Sequence, residues 1–556
     1  MPLFTSDPRA VLSAASNIAA PADANAYTID YSVDAKLDDS GKMSRTTRLV
    51  TRVLRLQGIE GSRRINIPWI ESRQNRPKLT ARVITSDGRP HLLNPDAISE
   101  TPNLLTAVLP NVDVDSVVEA EIDESDRETA IPGARLGEVV VGAPFVIGHF
   151  RFTLNAPPRT RVETRGFPSA PASSTNIEIS NLPPSPVLGL LPPEITPRPT
   201  ITFTNVPNWQ AAARWYAGIC EKFVPPVKSA PAGDTRTAIE AAFDEMRKTV
   251  HDNGASFAAS PYTPNSPTET LKKGSGDSKD EAILLISKLA ELGIAAKPAL
   301  ISTDPQPDVP RDLPGLEGFN RMLVYVPSPH PLWIDPTAQF AAVSHLPVAD
   351  QGRWALIVDP STTDLVRTPE STAADNRQSQ TVEVQLRDNG AATVTLSLED
   401  SGAFEDLLRS IAGALTGSDT AERDTAQTRL LRIAGAQKII KVDTAQTSNA
   451  LQPAKLQLTA EGYAASQVSD EGGFIDLPGP LSLNFQRLIV ALRLGDTNAP
   501  AAPPRPFDYY VPPAFTEESA YHVTPPAGYR FPTLPPVSSL PLGPIQLSGT
   551  AKFDPD

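Results

Sequence analysis

Proline stands at 58 of the 556 positions, about twice its ordinary ~5% share. No other property of this chain narrows its fold as much. Proline has no backbone N–H and clashes with the preceding turn, so it breaks helix interiors and sits at strand edges, strand starts and turns. Such a composition favours β-rich domains with many punctuated loops. The densest run, Leu182-Pro183-Pro184-Ser185-Pro186 through Pro192-Pro193 to Pro199, reads as an extended connector. A chain of this length exceeds what one core can organise, which predicts two to four domains.

Hydrophobic patterning divides the chain. Asp7-Pro8 reads as a helix start, with Asp7 as N-cap and proline at the first helical position. Tyr27 to Val33, Leu49 to Leu54, Leu79 to Thr85 (running into the turn pair Asp87-Gly88), Val117 to Ile122 and Phe150 to Leu154 read as strands. Many short strands with turn signals predict an antiparallel β-sandwich over 26–206, after an N-terminal segment over 1–25. From Trp209 the period changes. Trp209 to Phe223, Thr235 to Val250 and Ser278 to Leu292 read as helices. Lys297 to Ile301, Met322 to Val326 and Leu332 to Ile334 follow as strands, so 207–375 reads as an α+β core. The span 376–556 reads as a β-rich domain. It opens on a hairpin whose arms alternate at Val382, Val384 and Leu386 and at Val394, Leu396 and Leu398, with Asn389-Gly390 as a type I′ turn. A helical insert follows at Phe404 to Leu415 and Thr420 to Ala434. A last strand at Ile545 to Phe553 stops abruptly, which leads us to expect more chain beyond it.

A formal net charge of −14 repels phosphate backbones and anionic lipid, so nucleic acid and membrane surfaces are poor partners. No apolar run approaches the ~20 residues that span a bilayer. The one cysteine, Cys220, excludes an internal disulfide and any multi-cysteine zinc site, and reads as a small buried hydrophobe. His91, His149, His251, His330, His345 and His522 form no paired ligand spacing, so no metal and no cofactor is expected. The acidic runs at Asp113-Val114-Asp115 and Asp123-Glu124-Ser125-Asp126 lack the glycine and spacing of a calcium loop. The N-terminus has no basic n-region and too short an apolar run for a signal peptide. Two alternatives stay open: a cytoplasmic protein, or one in which Met1 replaces a removed leader.

The segment Gly274-Ser275-Gly276-Asp277-Ser278-Lys279-Asp280 opens the clearest helix, with Ala282, Leu285, Ile286 and Leu289 on one face and Gly293 as its stop. The spaced glycine and Gly-Lys pair of a phosphate-binding loop are absent. A helix N-terminus is where a nucleophilic thiol is activated, because the positive end of the dipole lowers its pKa. Thiolate chemistry of that kind also needs a base and a group that orients it.

Gly276-Asp277-Ser278-Lys279-Asp280, the Leu-rich helix after it and Gly293-Ile294-Ala295-Ala296 resemble the core motif of bacterial transglutaminase-like proteins. In that motif a cysteine stands where this chain has Ser278. Phe319-Asn320-Arg321 looks like the family's Phe-Asn-His strand, and Trp333-Ile334-Asp335-Pro336-Thr337 looks like its Asp-Pro-Thr strand. Arg76-Pro77-Lys78 through Asp87-Gly88 is similar to the β-rich domain of unknown function that precedes many such cores. Thr368-Pro369-Glu370 to Asn376, with the hairpin after it, looks like the β-domain that follows them.

The resemblance implies a papain-like core with Ser278 at the nucleophile position, Arg321 at the base position and Asp335 as orienter. It thus describes a degenerate triad from which no catalytic residue is expected. A guanidinium stays charged and takes no proton from a serine, so Arg321 is expected to form a bidentate ion pair with Asp335. The expectation is a pseudoenzyme that binds a protein or peptide, or acts as a scaffold, with no cofactor and an export to the periplasm or medium implied by the family. The alternative is a hydrolase or acyltransferase on peptide amides that uses Ser278 with another base, His251 or His330 having been weighed. Oligomeric state is not legible.

Overall fold

The structure is a computed structural model of the 556-residue chain. It describes residues 3–142, 145–168, 173–185, 190–196, 198–227, 234–303, 305–327, 330–343, 345–387, 392–445, 447, 452–463, 466–469, 472–475, 507–511, 513–534, 539–542 and 545–553. The architecture is multidomain, mixed α+β and rich in strand. It separates into two compact units, one formed by 1–339, 343–370 and 500–510, the other by 340–342, 371–499 and 511–556.

The first unit begins with helix α1 (Pro8–Ser16), whose N-cap Asp7 accepts a hydrogen bond from the Ala10 N–H. The strands β1 (Ala26–Leu37), β2 (Met43–Val53), β4 (Lys78–Ile84), β5 (Pro90–Leu92), β8 (Val117–Ser125), β10 (Val146–Asn155) and β12 (Asn176–Leu182) form a seven-stranded sheet. Its order is β12-β10-β1-β2-β8-β4-β5. Two three-stranded sheets complete the β part. One is β3-β7-β6, with β3 (Arg64–Pro68), β6 (Ile98–Thr101) and β7 (Leu104–Val108), and helix α2 (Leu56–Arg63) leads into β3. The other is β11-β13-β9, with β9 (Leu136–Val140), β11 (Arg161–Arg165) and β13 (Thr200–Thr204). Ile67 and Leu105 pack on Ile122, while Val139, Ile201 and Phe203 pack among Val33, Phe150 and Phe152.

The expected antiparallel sandwich needs one correction. β1 pairs with β10 in parallel, Tyr31 facing Phe150 and Val33 facing Phe152. Alternating burial is the same for both strand directions, and only the long excursion from β2 to β9 permits a parallel return. The short strands β3, β6 and β7, and helix α2, were not legible in the pattern.

The α+β part of the same unit supplies α3 (Trp209–Cys220), α4 (Thr235–Arg247), α5 (Pro267–Lys273) and α6 (Ser278–Glu291). The two-residue strands β14 (His251–Asp252) and β15 (Ser275–Gly276) pair in parallel. A five-stranded sheet runs β18-β17-β16-β19-β20, from β16 (Lys297–Ile301), β17 (Arg321–Val326), β18 (Leu332–Ile334), β19 (Trp354–Ile357) and β20 (Val366–Arg367). The one-faced pattern expected of α6 is exceeded. Both its apolar side chains and its polar residues Ser278 to Glu281 are buried, because α4, α5, β16 and β17 all pack against it.

The second unit holds the predicted hairpin as β21 (Arg377–Leu386) and β22 (Ala392–Ser401), with Val384 opposite Val394. The Asn389-Gly390 turn lies outside the described residues. Helices α7 (Glu405–Thr416) and α8 (Thr420–Ala434) follow, then β23 (Lys438–Ala445) and β24 (Ala454–Tyr463). Leu408, Ile411 and Leu430 pack on the sheet at Val384, Leu396 and Leu458. The strand Thr516–Thr524 closes that sheet parallel to β21. The strand expected over Ile545 to Phe553 is shorter, Ile545–Leu547, paired with Leu540–Leu542. Ser548-Gly549 ends it, glycine having no side chain to pack in a strand.

Leu285 is fully buried in the centre of α6, so Leu285→Ala leaves a cavity there. We expect a loss of about 2–5 kcal/mol, read as a lowered urea midpoint of the first unit followed by tryptophan fluorescence.

Candidate functional site

The first turn of α6 is locked by its own polar groups. Asp277 is the N-cap, accepting hydrogen bonds from the backbone N–H of Lys279 (3.1 Å) and Asp280 (3.3 Å). The Asp280 carboxylate reaches back toward the Asp277 N–H at 3.5 Å, completing a capping box. Asp280 also accepts from the backbone and side-chain amides of Asn265, at 2.7 and 2.6 Å. Lys279 turns inward to pair with Asp277 and to donate to Ser260 at 3.0 Å. Gly276 is required by this packing: a Cβ there would lie 2.7 Å from the Asp280 Cβ.

Ser278 is the first residue of the helix and is 4% exposed. Its Oγ accepts the backbone N–H of Met322 on β17 at 3.1 Å. Among the described residues, no histidine or carboxylate hydrogen-bonds its hydroxyl. The side chains of His251 and His330 are exposed, and neither hydrogen-bonds Ser278.

Arg321 begins β17, one residue before Met322. Its Nη1 donates to Asp335 Oδ2 at 2.8 Å and to the Thr337 hydroxyl oxygen. Thr337 in turn donates its O–H (2.7 Å) and its N–H (2.9 Å) to Asp335 Oδ1. The expected fork-to-fork pair is therefore replaced by one direct hydrogen bond and one relayed through Thr337, because Asp335 Oδ1 is already occupied. Burial pulls the Arg321 pKa down, but the charges of Asp335, Asp350 and Asp252 outweigh it and hold the guanidinium above its ordinary value.

Two carboxyls that the motifs did not single out complete the site. Asp350 ends the short 3₁₀ turn Val348–Asp350 and is 1% exposed. Thr303 donates its hydroxyl to Asp350 Oδ1, while Asp350 Oδ2 is buried and receives no donor. Burial, and next the charge of Asp335, push the Asp350 pKa well above the carboxylate range. Asp350 therefore holds its proton more tightly than an ordinary carboxyl.

Glu281 lies one helical turn from Ser278, on the same side of α6. Its Oε1 is buried without a partner. Burial, followed by the charges of Asp252, Asp335 and Asp277, pushes its carboxyl up to about 8. The (i, i+3) spacing from Ser278 was a signal available in the sequence. Nothing local marked Asp350. Cys220 sits apart in α3, buried, its thiol pushed up to about 12 by desolvation. Such a thiol is inert.

Chemically, the site holds one fixed cation, Arg321, among buried carboxyls. It offers Ser278 no base in hydrogen-bond contact. Among the described residues, no group of three or more histidine, cysteine, aspartate or glutamate side chains is arranged to hold a metal ion.

A family model described as a domain of unknown function with a solved structure, DUF3857, matches residues 39–184. These residues span most of the β part of the first unit. Among solved structures, the crystal structure of a "putative protease" from Parabacteroides distasonis is similar with a TM-score of 0.52 at 12% identity. The match covers 79% of this chain and 93% of that one. At that identity the likeness is one of fold. An M1 zinc metallopeptidase from Deinococcus radiodurans gives a TM-score of 0.19 at 10% identity, over 33% of this chain and 43% of that one, too low to bear on the fold. A search of curated proteins gives no match.

The raised Glu281 carboxyl has a stability signature. In the unfolded chain it ionises near ~4.3, in the folded protein near about 8. Between those values the folded state keeps a proton that the unfolded state has released, so stability falls as pH rises through that window. Glu281→Gln removes this loss. We expect the Tm difference, variant minus wild type, to grow from about pH 5 to about pH 8 and then level off, measured by thermal melts in matched ionic strength.

Proposed function

We propose that this chain is a catalytically inactive member of the transglutaminase-like superfamily, with a papain-like core over 207–375 flanked by β-domains over 26–206 and 376–556. In this reading Ser278 stands at the nucleophile position, Arg321 at the base position and Asp335 at the orienting position. The core then binds a peptide or protein partner, or the β-domains serve as scaffold, with no cofactor. The observation that carries it is Arg321 itself. It lies next in sequence to the residue whose N–H holds Ser278, and it is tied to Asp335 and Thr337. A permanently charged guanidinium in that place takes no proton, and an unactivated serine hydroxyl is a weak nucleophile. Export to the periplasm or medium goes with the family resemblance. No helix among the described residues is long and apolar enough to cross a membrane.

Serine-directed fluorophosphonates, thiol-directed haloacetamides and glutamine-bearing peptides test the reading, with adducts located by mass spectrometry. No adduct at Ser278 is expected. An adduct there that disappears in Ser278→Ala would overturn it. The same frame predicts a gain: Ser278→Cys combined with Arg321→His should alkylate at position 278 at least about tenfold faster than Ser278→Cys alone, since a neighbouring imidazole lowers a thiol pKa.

A second reading, a hydrolase or acyltransferase acting on peptide amides, is favoured by Glu281, an unpartnered carboxyl one turn from Ser278. As a base it must be ionised. Amide turnover would then climb as pH passes about 8 and vanish in Glu281→Gln. Absence of both effects leaves the non-catalytic reading standing.

A further inference from the structure

The layer that covers the seven-stranded sheet is split. Its two parts, β3-β7-β6 and β11-β13-β9, each present an edge strand, β3 and β9. Both edge strands line one cavity of about 330 Å³ above the face of the large sheet. Arg64 to Pro68 contribute the whole of β3, and Val139, Val140 and Gly142 contribute the end of β9 and the residues after it. The floor is a continuous set of cross-strand neighbours. Val33 faces Thr47, Thr47 faces Ile122, Leu49 faces Ala120, and Thr51 faces Val118. One end is closed by Arg45 and Glu124, paired through two hydrogen bonds of 2.7 and 2.6 Å.

The register shows which backbone groups are left over. On β3, Arg63 and Trp69 bond across to Leu109 and Asn103. In an antiparallel ladder the bonding residues alternate, so Ile65 and Ile67 also face β7, and Arg64 and Asn66 turn their N–H and C=O away from it. On β9, Arg135 and Val141 bond to Asn205 and Pro199 on the β13 side. Leu136, Glu138 and Val140 therefore face outward. Leu136 confirms the direction, since its N–H is taken by the Glu317 carboxylate at 3.2 Å. Val140, on one edge, and Arg64 and Asn66, on the other, offer donors and acceptors to one space. Only another extended backbone carries partial charges with the complementary alternation.

We propose that this cavity is a peptide-binding site in which an extended segment of about four residues, ~13 Å long, enters as an added strand of the split layer. Its main chain bonds the free edges of β3 and β9, and its alternate side chains, small and β-branched, rest on the floor at the half-buried Leu49 and Thr51. Specificity comes from that floor and from the closed Arg45–Glu124 end, which refuses a charged residue because both of its charges are already paired. The site lies outside the Ser278–Arg321–Asp335 region and stands whether or not that region binds anything.

The test uses the full chain and a fluorescein-labelled, capped pentapeptide of alternating threonine and valine, followed by anisotropy. The comparison probe has the same side chains with every peptide nitrogen methylated. Saturable binding of the first probe is expected, weakened roughly tenfold or more in the second, which has lost its main-chain donors. Asn66→Pro deletes a donor that faces the cavity and not β7, and should weaken binding without a change in Tm beyond a few degrees. Ala120→Phe, which fills the floor, should abolish it. No saturable binding at millimolar peptide, equal binding of the methylated probe, or binding unchanged in Ala120→Phe would each overturn the proposal. Should Asn66→Pro fail to fold, the two probes on the wild-type chain decide alone.

Discussion

The core of the first unit depends on the polar lock at the start of α6. A helix buried on all sides brings its N-terminal N–H groups into the interior, where unpaired donors each cost about 1–3 kcal/mol. The chain meets that requirement locally. Asp277 and Asp280 satisfy the first turn, Lys279 offsets the Asp277 charge, and Asn265 satisfies Asp280. Once that turn is saturated, the helix can place Ser278 against the Met322 N–H of β17 and Leu285 in the centre of the core. The five residues from Gly276 to Asp280 act as a structural element in their own right.

Around that lock the charges are arranged for a fixed cation. Arg321 is held by Asp335, whose other oxygen is taken by Thr337. The two further carboxyls nearby cannot both ionise in a buried site with one compensating guanidinium. Burial raises the pKa of both Asp350 and Glu281, and each has a buried oxygen that receives no donor. Arg321 and the acid cluster are thus one electrostatic unit, and the raised pKa values follow from burial and charge together.

Much of the architecture was legible because its signals are local. The Asp277 N-cap and the hairpin of β21 and β22 follow from residue type and period. The helix over Thr420–Ala434 was legible from the same cues. The parallel pairing of β1 with β10 was not, since Tyr31 and Phe150 alternate identically in either direction. The short strands β3, β6 and β7 escaped because Arg64–Pro68 alternates exposure over too few residues and ends in proline. At the site, Arg321 and Asp335 were legible as a pair, but their geometry was not. The threonine that splits the fork lies two residues beyond Asp335, and its bonds depend on a loop turn. Asp350 was invisible, because its partners Thr303 and Asp335 lie 47 residues and fifteen residues away (350 minus 335 in the sequence).

The same proline content that limits helices also governs the exposed strand edges. A free edge invites uncontrolled pairing with another chain. On β3 that edge ends in Pro68, which has no N–H to offer, and it starts at Arg64, whose charge disfavours stacking of like edges. On β9, Glu138 supplies a negative charge at the outward position, and Leu136 is already committed to Glu317. Among the described residues, what is left to face the cavity is Arg64 and Asn66 on one side and Val140 on the other. An interval so short is too small to template an extended sheet, yet long enough to register a few residues of peptide. Edge protection and selective pairing are in this sense one design: the residues that keep a long strand out also fix the length of the strand that can enter.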